Sequence, residues 1–183
     1  GTDPVTGKEY GTVEIAAGGM GARPTKDGVD AISTDAANLL NVPTEAMEMN
    51  FPLRIKRVGL HDGSGGAGEN RGGLGYTKVM EVMRGSVEAA YRGERFYTRP
   101  WGLFGGLAGF SGKGFILRQT GEKEEILSKR DLTLNQGDQV HLSTPGGGGY
   151  GDPLKRKPEL VQRDVLDRKV SLEAALNDYG VVI

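Results

Sequence analysis

Residues 61–75 read HDGSGGAGENRGGLG, and a largely hydrophobic run, YTKVMEVM, follows at 76–83. Glycine permits backbone conformations and close approaches that a side chain forbids. The chain repeats this arrangement, because further hydrophobic segments separate glycine clusters at 18–21, 63–75, 102–114 and 146–151. The pattern predicts a folded, β-rich body with specialised glycine loops.

Short runs rich in β-branched and aromatic residues between the clusters are typical of half-buried strands. They predict strands near 11–16, 52–60, 75–83, 86–92, 113–119, 124–128 and 138–143. The expected fold class is therefore α+β, with a mostly antiparallel β core, glycine-rich loops and two short C-terminal helices. We expect one module over residues 1–183, with a β-rich body over about 1–150 and a helical tail over about 151–183.

The helices of the tail have clear sequence signals. The first opens with Pro158, at a position where a missing backbone N–H costs nothing, and the second has Ser171 as its N-cap and Gly180 at its end. We expect the second helix to bury one apolar face, formed by Leu172, Ala175, Leu176 and Tyr179. A shorter helical turn is predicted at 44–49, with Thr44 as its cap.

Composition excludes several classes of function. The net charge is −1, with 23 basic and 24 acidic residues scattered along the chain, which argues against a nucleic-acid partner. There is no cysteine, which excludes disulfides, zinc thiolate sites and thiol nucleophiles and agrees with a cytoplasmic location. No membrane span or secretory leader is visible in the sequence. The turn-rich start at Gly1 suggests that the natural protein extends upstream.

Two glycine patterns resemble nucleotide-binding motifs, but the residues around them do not meet the requirements of those motifs. Residues 63–68 satisfy a dinucleotide fingerprint, but 69–73 (ENRGG) would not start the helix that has to hold a pyrophosphate. Gly112-Lys113 lacks the upstream glycine and the following Ser or Thr of a phosphate loop. We therefore expect no ATP site and no other cofactor site in this chain.

The glycine clusters leave two interpretations open. Successive N–H groups can form anion-binding nests, with Arg23 and Arg71 beside two of the clusters, or the glycines can let loops cross tightly over a β core. The other candidate site residues are Asp27, His61 and Asp62. His61 and His141 are the only imidazoles, and their wide spacing supports no metal site.

As a set, the clusters resemble the C-terminal portion of the hydantoinase B/5-oxoprolinase family, which is related to subunits of acetone and acetophenone carboxylases. The stretches that carry the resemblance are 18–24 with Asp27-Gly28, 62–75, 100–106, 144–153 and the ending 179–183. One departure is Gly63, inserted after Asp62 where the family usually has Asp-Ser-Gly-Gly-Ala-Gly. This insertion puts the role of Asp62 in doubt.

The resemblance implies an ATP-dependent enzyme that opens cyclic amides such as 5-oxoproline or hydantoins, or a related carboxylase. A hydantoinase A-like partner subunit would bind ATP, and the upstream part of the subunit, absent here, would hold a divalent metal. The implied partners are that subunit, the upstream part and a small cyclic amide, within an oligomer. The scattered charges and the shortness of the apolar runs predict no nucleic-acid partner and no membrane partner.

Three functional hypotheses follow. The loops around 19–23 and 62–73 face an active site in which Arg23 and Arg71 bind anionic groups; or the segment is a non-catalytic β scaffold at a subunit interface; or the chain is a free-standing anion-binding protein. The first predicts that Arg71→Ala lowers turnover and leaves folding intact. Convergence of the clusters on one concave surface would favour it.

Overall fold

The computed structural model of the protein describes residues 1–33, 37 and 39–183. In chain order the elements are α1 (Thr44–Asn50), β1 (Leu53–His61), β2 (Gly75–Val82), β3 (Ser86–Arg92), β4 (Lys113–Leu117), β5 (Lys123–Ile126), β6 (Lys129–Asn135), β7 (Gln139–Ser143), a 3-10 helix (Pro153–Lys155), α2 (Pro158–Leu166) and α3 (Leu172–Asn177). The α+β class and the antiparallel core expected from the sequence are confirmed.

Five strands form one antiparallel sheet in the order β1-β2-β7-β4-β5. A β-bulge interrupts the pairing of β1 with β2 between Ile55 and Arg57. The strands β3 and β6 form a separate antiparallel pair. The large sheet is therefore built from local hairpins and one long return, in which β7 inserts between β2 and β4.

The main hydrophobic core lies between the two sheets. Leu132 and Leu134 of β6 pack with Val82, Ile116 and Val140 of the large sheet. The two β6 leucines alternate with exposed charged and polar residues, as expected for a strand with one buried face. The strand pair thus covers one face of the five-stranded sheet.

The tail forms a second, smaller core. Val161 of α2 and Ala175 of α3 are fully buried, and they cluster with Val170, Tyr179 and Ala67 of the glycine-rich segment. Pro158 opens α2 as predicted, and the Ser171 hydroxyl accepts the N–H of Ala174, which confirms the N-cap of α3. This core attaches the tail to the glycine-rich part of the body.

Several local predictions were wrong. Residues 11–16 form no strand, and strand β6 was missed because its charged start, Lys129-Arg130-Asp131, hides a short alternation. Pro43 rather than Thr44 is the N-cap of α1. Within α3 the expected stripe was misplaced, since Leu172 and Leu176 are more than half exposed.

No helix within the described part of the chain is long and apolar enough to cross a membrane.

Candidate functional site at a glycine bundle

The glycine-rich segments meet at one end of the five-stranded sheet. At that end β1 finishes at His61 opposite Gly75, where β2 begins, and β7 finishes at Ser143 opposite Lys113, where β4 begins. The strands therefore continue into the segments 62–74, 144–151 and 100–112, which lie side by side. A fourth segment, 17–31, runs along them through hydrogen bonds to residues of 71–74 and 145–148. We call this assembly the glycine bundle.

Residues 146–149, four consecutive glycines, lie at its centre. A Cβ on Gly146 would overlap the carbonyl of Ser64, one on Gly147 that of Met20, one on Gly148 that of Trp101, and one on Gly149 that of Ala67. Gly146 and Gly149, three residues apart, face the same neighbouring segment, which is the periodicity of a polyproline II helix. Only glycine lets the surrounding backbones approach this closely.

Backbone hydrogen bonds between segments hold the bundle together. The N–H of Gly147 donates to Gly73, and the carbonyl of Gly147 accepts from Gly66. The N–H of Gly149 donates to Leu107, while its carbonyl accepts from Leu103. These amides are consumed by the fold and are not free to bind an anion. The clusters thus converge, as the first hypothesis requires, but into a packed interior instead of a concave anion-binding surface.

A buried ionic network ties the tail to the bundle. Arg156 donates from both terminal nitrogens to the two oxygens of Asp27 at 2.7 Å, and Nη2 also donates to Asp164 at 2.8 Å. Asp27 in addition accepts the N–H of Arg71 at 2.6 Å. Burial acts to raise the pKa of Asp27, but the hydrogen bonds and charge of Arg156 outweigh it and hold that pKa below its usual value.

The guanidinium of Arg71 belongs to the same network and is 3% exposed. Its Nη1 donates to the carbonyl of Gly72 at 2.5 Å and lies 3.5 Å from Asp30, while Nε lies 3.5 Å from Asp164 without the geometry of a hydrogen bond. Arg71 therefore has a packing role, which the hypothesis of an anion-binding Arg71 did not foresee. A buried guanidinium surrounded by carboxylates holds the structure and is closed to a ligand from solvent.

Asp30 and Lys169 complete the network. Asp30 accepts the N–H of Leu74 at 2.8 Å, and its other oxygen lies 2.8 Å from the ammonium group of Lys169. Burial opposes ionisation of Asp30, but Lys169 and the Leu74 amide hold its pKa below the usual value. Three cations thus face three carboxylates, so the network is neutral as a whole. Sequence reasoning missed Arg156, Asp164 and Lys169, because only the fold brings the tail beside Asp27.

His61 and Asp62 lie at the junction of sheet and bundle. The Nδ1 of His61 lies 3.1 Å from the carbonyl of Thr144, which can only accept, so Nδ1 is the protonated nitrogen. Burial lowers the pKa of His61, so the ring is neutral near pH 7 and Nε2 is left as an acceptor. Asp62 is exposed beside it. Of the predicted site residues, these two combine accessibility with acid–base chemistry.

Arg23 lies apart from both groups. It is exposed in a turn in which its backbone exchanges hydrogen bonds with that of Lys26. The structure therefore brings together Arg71 with Asp27, and His61 with Asp62, but joins neither pair to the side chain of Arg23 by an ion pair or side-chain hydrogen bond within the described residues.

Among the described residues, the side chains that could coordinate a metal ion do not form a metal site. In the part of the chain that the structure describes, no three His, Asp or Glu side chains come together in a group that could hold a metal ion. The carboxylates that do cluster are already paired with Arg71, Arg156 and Lys169. The residues present do not fit a divalent metal, so we assign no step to a metal held by this chain.

A cleft of about 820 Å³ opens between the two sheets and residues 10–18. Its wall is mostly apolar, with Met80, Tyr91 and Leu142 among the lining residues. Lys78, which is buried, forms an ion pair there with Glu14. No sequence pattern predicts this pair, because the two residues are 64 positions apart.

Residues 1–153 match the sequence model of the hydantoinase B/oxoprolinase family, and the match includes the whole glycine bundle. The chain belongs to this family. The resemblance inferred from the glycine clusters is thereby confirmed. Many of the motif glycines that carried it, among them 146–149, lie in the interior of the bundle, so for these positions the family signature is a signature of fold.

Hydantoinase B/oxoprolinase relatives are considerably longer than this chain. An uncharacterized protein of Methanocaldococcus jannaschii is 37% identical over 179 residues, which are 98% of this chain and 31% of that protein. The caprolactamase subunit beta of Pseudomonas jessenii is 34% identical over 96% of this chain and 32% of its own length. A 5-oxoprolinase of Pestalotiopsis fici is 34% identical over 84% of this chain and 12% of its own length. The chain thus spans about a third or less of these relatives.

Two solved structures share the fold. The ATP-dependent caprolactamase from Pseudomonas jessenii superposes with a TM-score of 0.81 at 30% identity, over 92% of this chain and 30% of that one. An acetone carboxylase structure superposes with a TM-score of 0.78 at 22% identity, over 91% of this chain and 26% of that one. The second likeness supports the fold alone.

Proposed function

We propose that this chain works as part of a hydantoinase B-type subunit in an ATP-dependent enzyme that opens cyclic amides, such as 5-oxoproline, hydantoins or lactams. The observation that carries the proposal is the family match over the bundle. Relatives named 5-oxoprolinase and caprolactamase support the substrate class. A carboxylase acting on a ketone is the alternative within the same fold.

Within that enzyme, the part played by the glycine bundle is structural. Its interior is tightly packed, the amides of Gly66, Gly147 and Gly149 donate to neighbouring segments, and a neutral ionic network fastens the tail to it. A rigid element of this kind holds the side chains at its ends in fixed positions, and catalytic side chains need such a rigid support. This arrangement favours the scaffold hypothesis for Arg71 and Asp27, two of the candidate site residues of the sequence.

His61 and Asp62 are the residues of this chain that we propose to take part in the reaction. A neutral imidazole whose Nδ1–H is held by the Thr144 carbonyl presents Nε2 as a base. It can accept a proton from a water molecule as that water attacks an activated amide carbon. Arg23, exposed on its turn, is the remaining candidate for binding an anionic group.

ATP is assigned to a hydantoinase A-like partner, and a divalent metal to the upstream part of the subunit. Both assignments follow from the family resemblance. In this proposal the ATP-binding partner activates the amide oxygen by phosphorylation. This chain then holds the loop that faces the activated carbon.

Reconstitution tests the proposed activity. The 183-residue chain with ATP, Mg²⁺ and 5-oxoproline, a hydantoin or caprolactam should release neither phosphate nor ring-opened product. The longer subunit with its A-like partner should release both, in step with substrate. Steady substrate-dependent release by the isolated chain would contradict the assignment of chemistry to the other parts.

Two variants of the complete enzyme test whether His61 and Asp62, at the junction of sheet and bundle, have a catalytic role or only a structural one. His61→Gln and Asp62→Asn should each lower kcat at least tenfold at unchanged thermal midpoint, because neither change empties a core position. The acid limb of the wild-type pH profile should lie below pH 6.5, since burial lowers the pKa of His61. Unchanged kcat in both variants would leave the chain as a scaffold alone.

A further inference from the structure

Residues 11–16 form an unpaired segment along one wall of the cleft between the two sheets. Their sequence, GTVEIA, predicts a strand. Within the described part of the chain, however, the backbone of this segment makes no hydrogen bond to another backbone. The side chain of Val13 is 88% exposed. A segment with strand periodicity and free backbone groups can pair with a further strand.

Strand β3 forms the opposite wall of the cleft and also has an open edge. Among the described strands it pairs with β6 alone. The N–H of Gly93 donates to Ser128 in the register of that pair, and hydrogen-bonded and non-hydrogen-bonded positions alternate in an antiparallel ladder. The backbone groups of Glu88 and Ala90 therefore point away from β6. A two-stranded pair is marginally stable, whereas three or more strands form a stable sheet.

The floor of the cleft is mostly apolar. Met80 and Leu142 of the large sheet line it, and Tyr91 of β3 lines it from the side. The charges of Lys78 and Glu14, which also line the cleft, neutralise each other in an ion pair. The cleft therefore suits an extended segment with one apolar face.

The backbone of Gly1 lies at one end of the cleft. Gly1 and Tyr10 exchange two backbone hydrogen bonds of 2.9 and 2.8 Å, and Thr2 bridges to Glu9 in the same antiparallel register. A Cβ on Gly1 would lie 3.0 Å from the carbonyl oxygen of Ser86, the first residue of β3. Both walls of the cleft therefore start at this end. One strand that runs towards Gly1 is antiparallel to each wall.

Such a strand would continue the ladder that Gly1 and Tyr10 begin. The residue before Gly1 would lie opposite Gly11, and each earlier residue would lie opposite the next position of the wall. Because the pair of Gly1 and Tyr10 is hydrogen-bonded, every second residue of the wall directs its backbone groups towards the added strand. These residues are Thr12, Glu14 and Ala16.

We propose that the part of the longer subunit that precedes Gly1 supplies this strand, which lies between residues 11–16 and β3 and joins them into one sheet. The inference rests on the proposed function, in which this chain is one part of a hydantoinase B-type subunit. The chain covers 31% and 32% of two relatives, so most of their length lies outside it. Chain continuity favours this occupant over a separate subunit, because the ladder leads directly into the cleft and a tethered strand has a high effective concentration.

Amide hydrogen exchange, resolved to single residues by mass-spectrometric fragmentation, tests the pairing. The 183-residue chain and the longer subunit are compared without substrate, ATP or the A-like subunit. The amides of Thr12, Glu14 and Ala16 should exchange at least tenfold more slowly in the longer subunit, because they become ladder donors. The amides of Val13 and Ile15, which face the other way, should change much less. The open-edge amides of β3 should slow together with the first set.

Two proline variants of the longer subunit form a matched pair. Thr12→Pro removes a donor of the proposed ladder, whereas Val13→Pro removes an N–H that faces away from it. The first should restore fast exchange at Glu14 and along the open edge of β3, and the second should not. Circular dichroism of both variants checks that the fold is retained. Equal loss of protection in the two variants would contradict the pairing.

The comparison of the two wild-type forms decides the inference even if a proline variant fails to fold. Equal exchange at Thr12, Glu14 and Ala16 in the two forms would overturn it. So would protection that appears only after the A-like subunit is added, or that grows with the concentration of the 183-residue chain, because a partner or a second copy would then fill the cleft. Exchange is measured without turnover, so a wrong substrate class would leave this result intact.

Discussion

Asp27 and Arg156, 129 positions apart in sequence, form a two-point ion pair in which each terminal guanidinium nitrogen donates to one carboxylate oxygen at 2.7 Å. This fork-to-fork geometry is specific to arginine. It joins segment 17–31 of the glycine bundle to the start of the helical tail. The pair and its neighbour Asp164 therefore make the tail part of the same folded unit.

Arg156→Ala should destabilise the protein strongly. The change leaves the buried Asp164 and the half-buried Asp27 without this cation, and removing one partner of a buried ion pair costs about 3–5 kcal/mol. Urea denaturation followed by circular dichroism measures the loss. The control is Arg163→Ala on α2, since that side chain is 78% exposed and 3.9 Å from Asp167. A surface pair of this kind contributes less than about 1 kcal/mol, and equal losses in the two variants would contradict the role of the network.

Arg71→Ala should also unfold the protein more readily, contrary to what its glycine-rich surroundings suggest. The change removes a buried cation from between Asp30 and Asp164, so a loss of about 3–5 kcal/mol is expected. The measurement pairs the thermal midpoint with activity per folded molecule in the reconstituted enzyme. A normal midpoint with abolished turnover would restore Arg71 as a catalytic candidate.

Gly147→Ala should prevent the bundle from forming. The added methyl would overlap the carbonyl of Met20 and the backbone of Gly21, and these are backbone atoms that cannot rotate away. Gly59→Ala is the matched control, because nothing lies within 4 Å of a Cβ at that position in β1. Limited proteolysis should cut the first variant rapidly and the second at the wild-type rate. Equal resistance would show that the centre of the bundle has room.

The strands were predictable because alternation between a core and a solvent face is a local signal. Strand β3 was predicted at its observed bounds, Ser86–Arg92, and β1 and β2 within one residue. Strand β6 was not, since only Leu132 and Leu134 are buried among its charges. The error in α3 has a similar origin, because a stripe of four apolar residues is wider than the face that the tail core covers.

The glycine bundle and the ionic network around Arg71 could not be predicted from the sequence, for a different reason. The glycines at 146–149 are set by contacts with three other segments, and no periodicity within one segment encodes those contacts. Arg71 looked free because its neighbours in sequence are small. Its real neighbours, Asp30 and Asp164, lie 41 and 93 positions away.

The tail core leaves Leu176 largely outside it, so the stability effect expected at this position is the reverse of what a buried Leu176 would give. Leu176 is 54% exposed, so Leu176→Ala should change the free energy of unfolding by less than about 1 kcal/mol. Val161→Ala, at a fully buried position in the same core, should cost about 2 kcal/mol. Chemical denaturation of both variants decides the matter. A larger loss for Leu176 would mean that the original stripe is correct.

Acidification should weaken the attachment of the tail to the glycine bundle before it unfolds the rest of the protein. The pKa of Asp27 is lower in the folded protein than the unfolded value of about 3.9, because Arg156 favours the ionised form. The unfolded chain therefore takes up the proton more readily, so this contribution to stability is present above about pH 4 and is lost as the pH falls through the folded value. Asp30 acts in the same direction.

The measurement is the free energy of unfolding as a function of pH, for the wild type and for Asp27→Asn. The variant should be less stable near pH 7 and should lose less stability between about pH 5 and pH 2, because one carboxylate with a depressed pKa is gone. Asp131→Asn, which changes an 80% exposed carboxylate, is the control and should follow the wild-type curve. Parallel curves for Asp27→Asn and the wild type would show that the ion pair with Arg156 does not set the acid response.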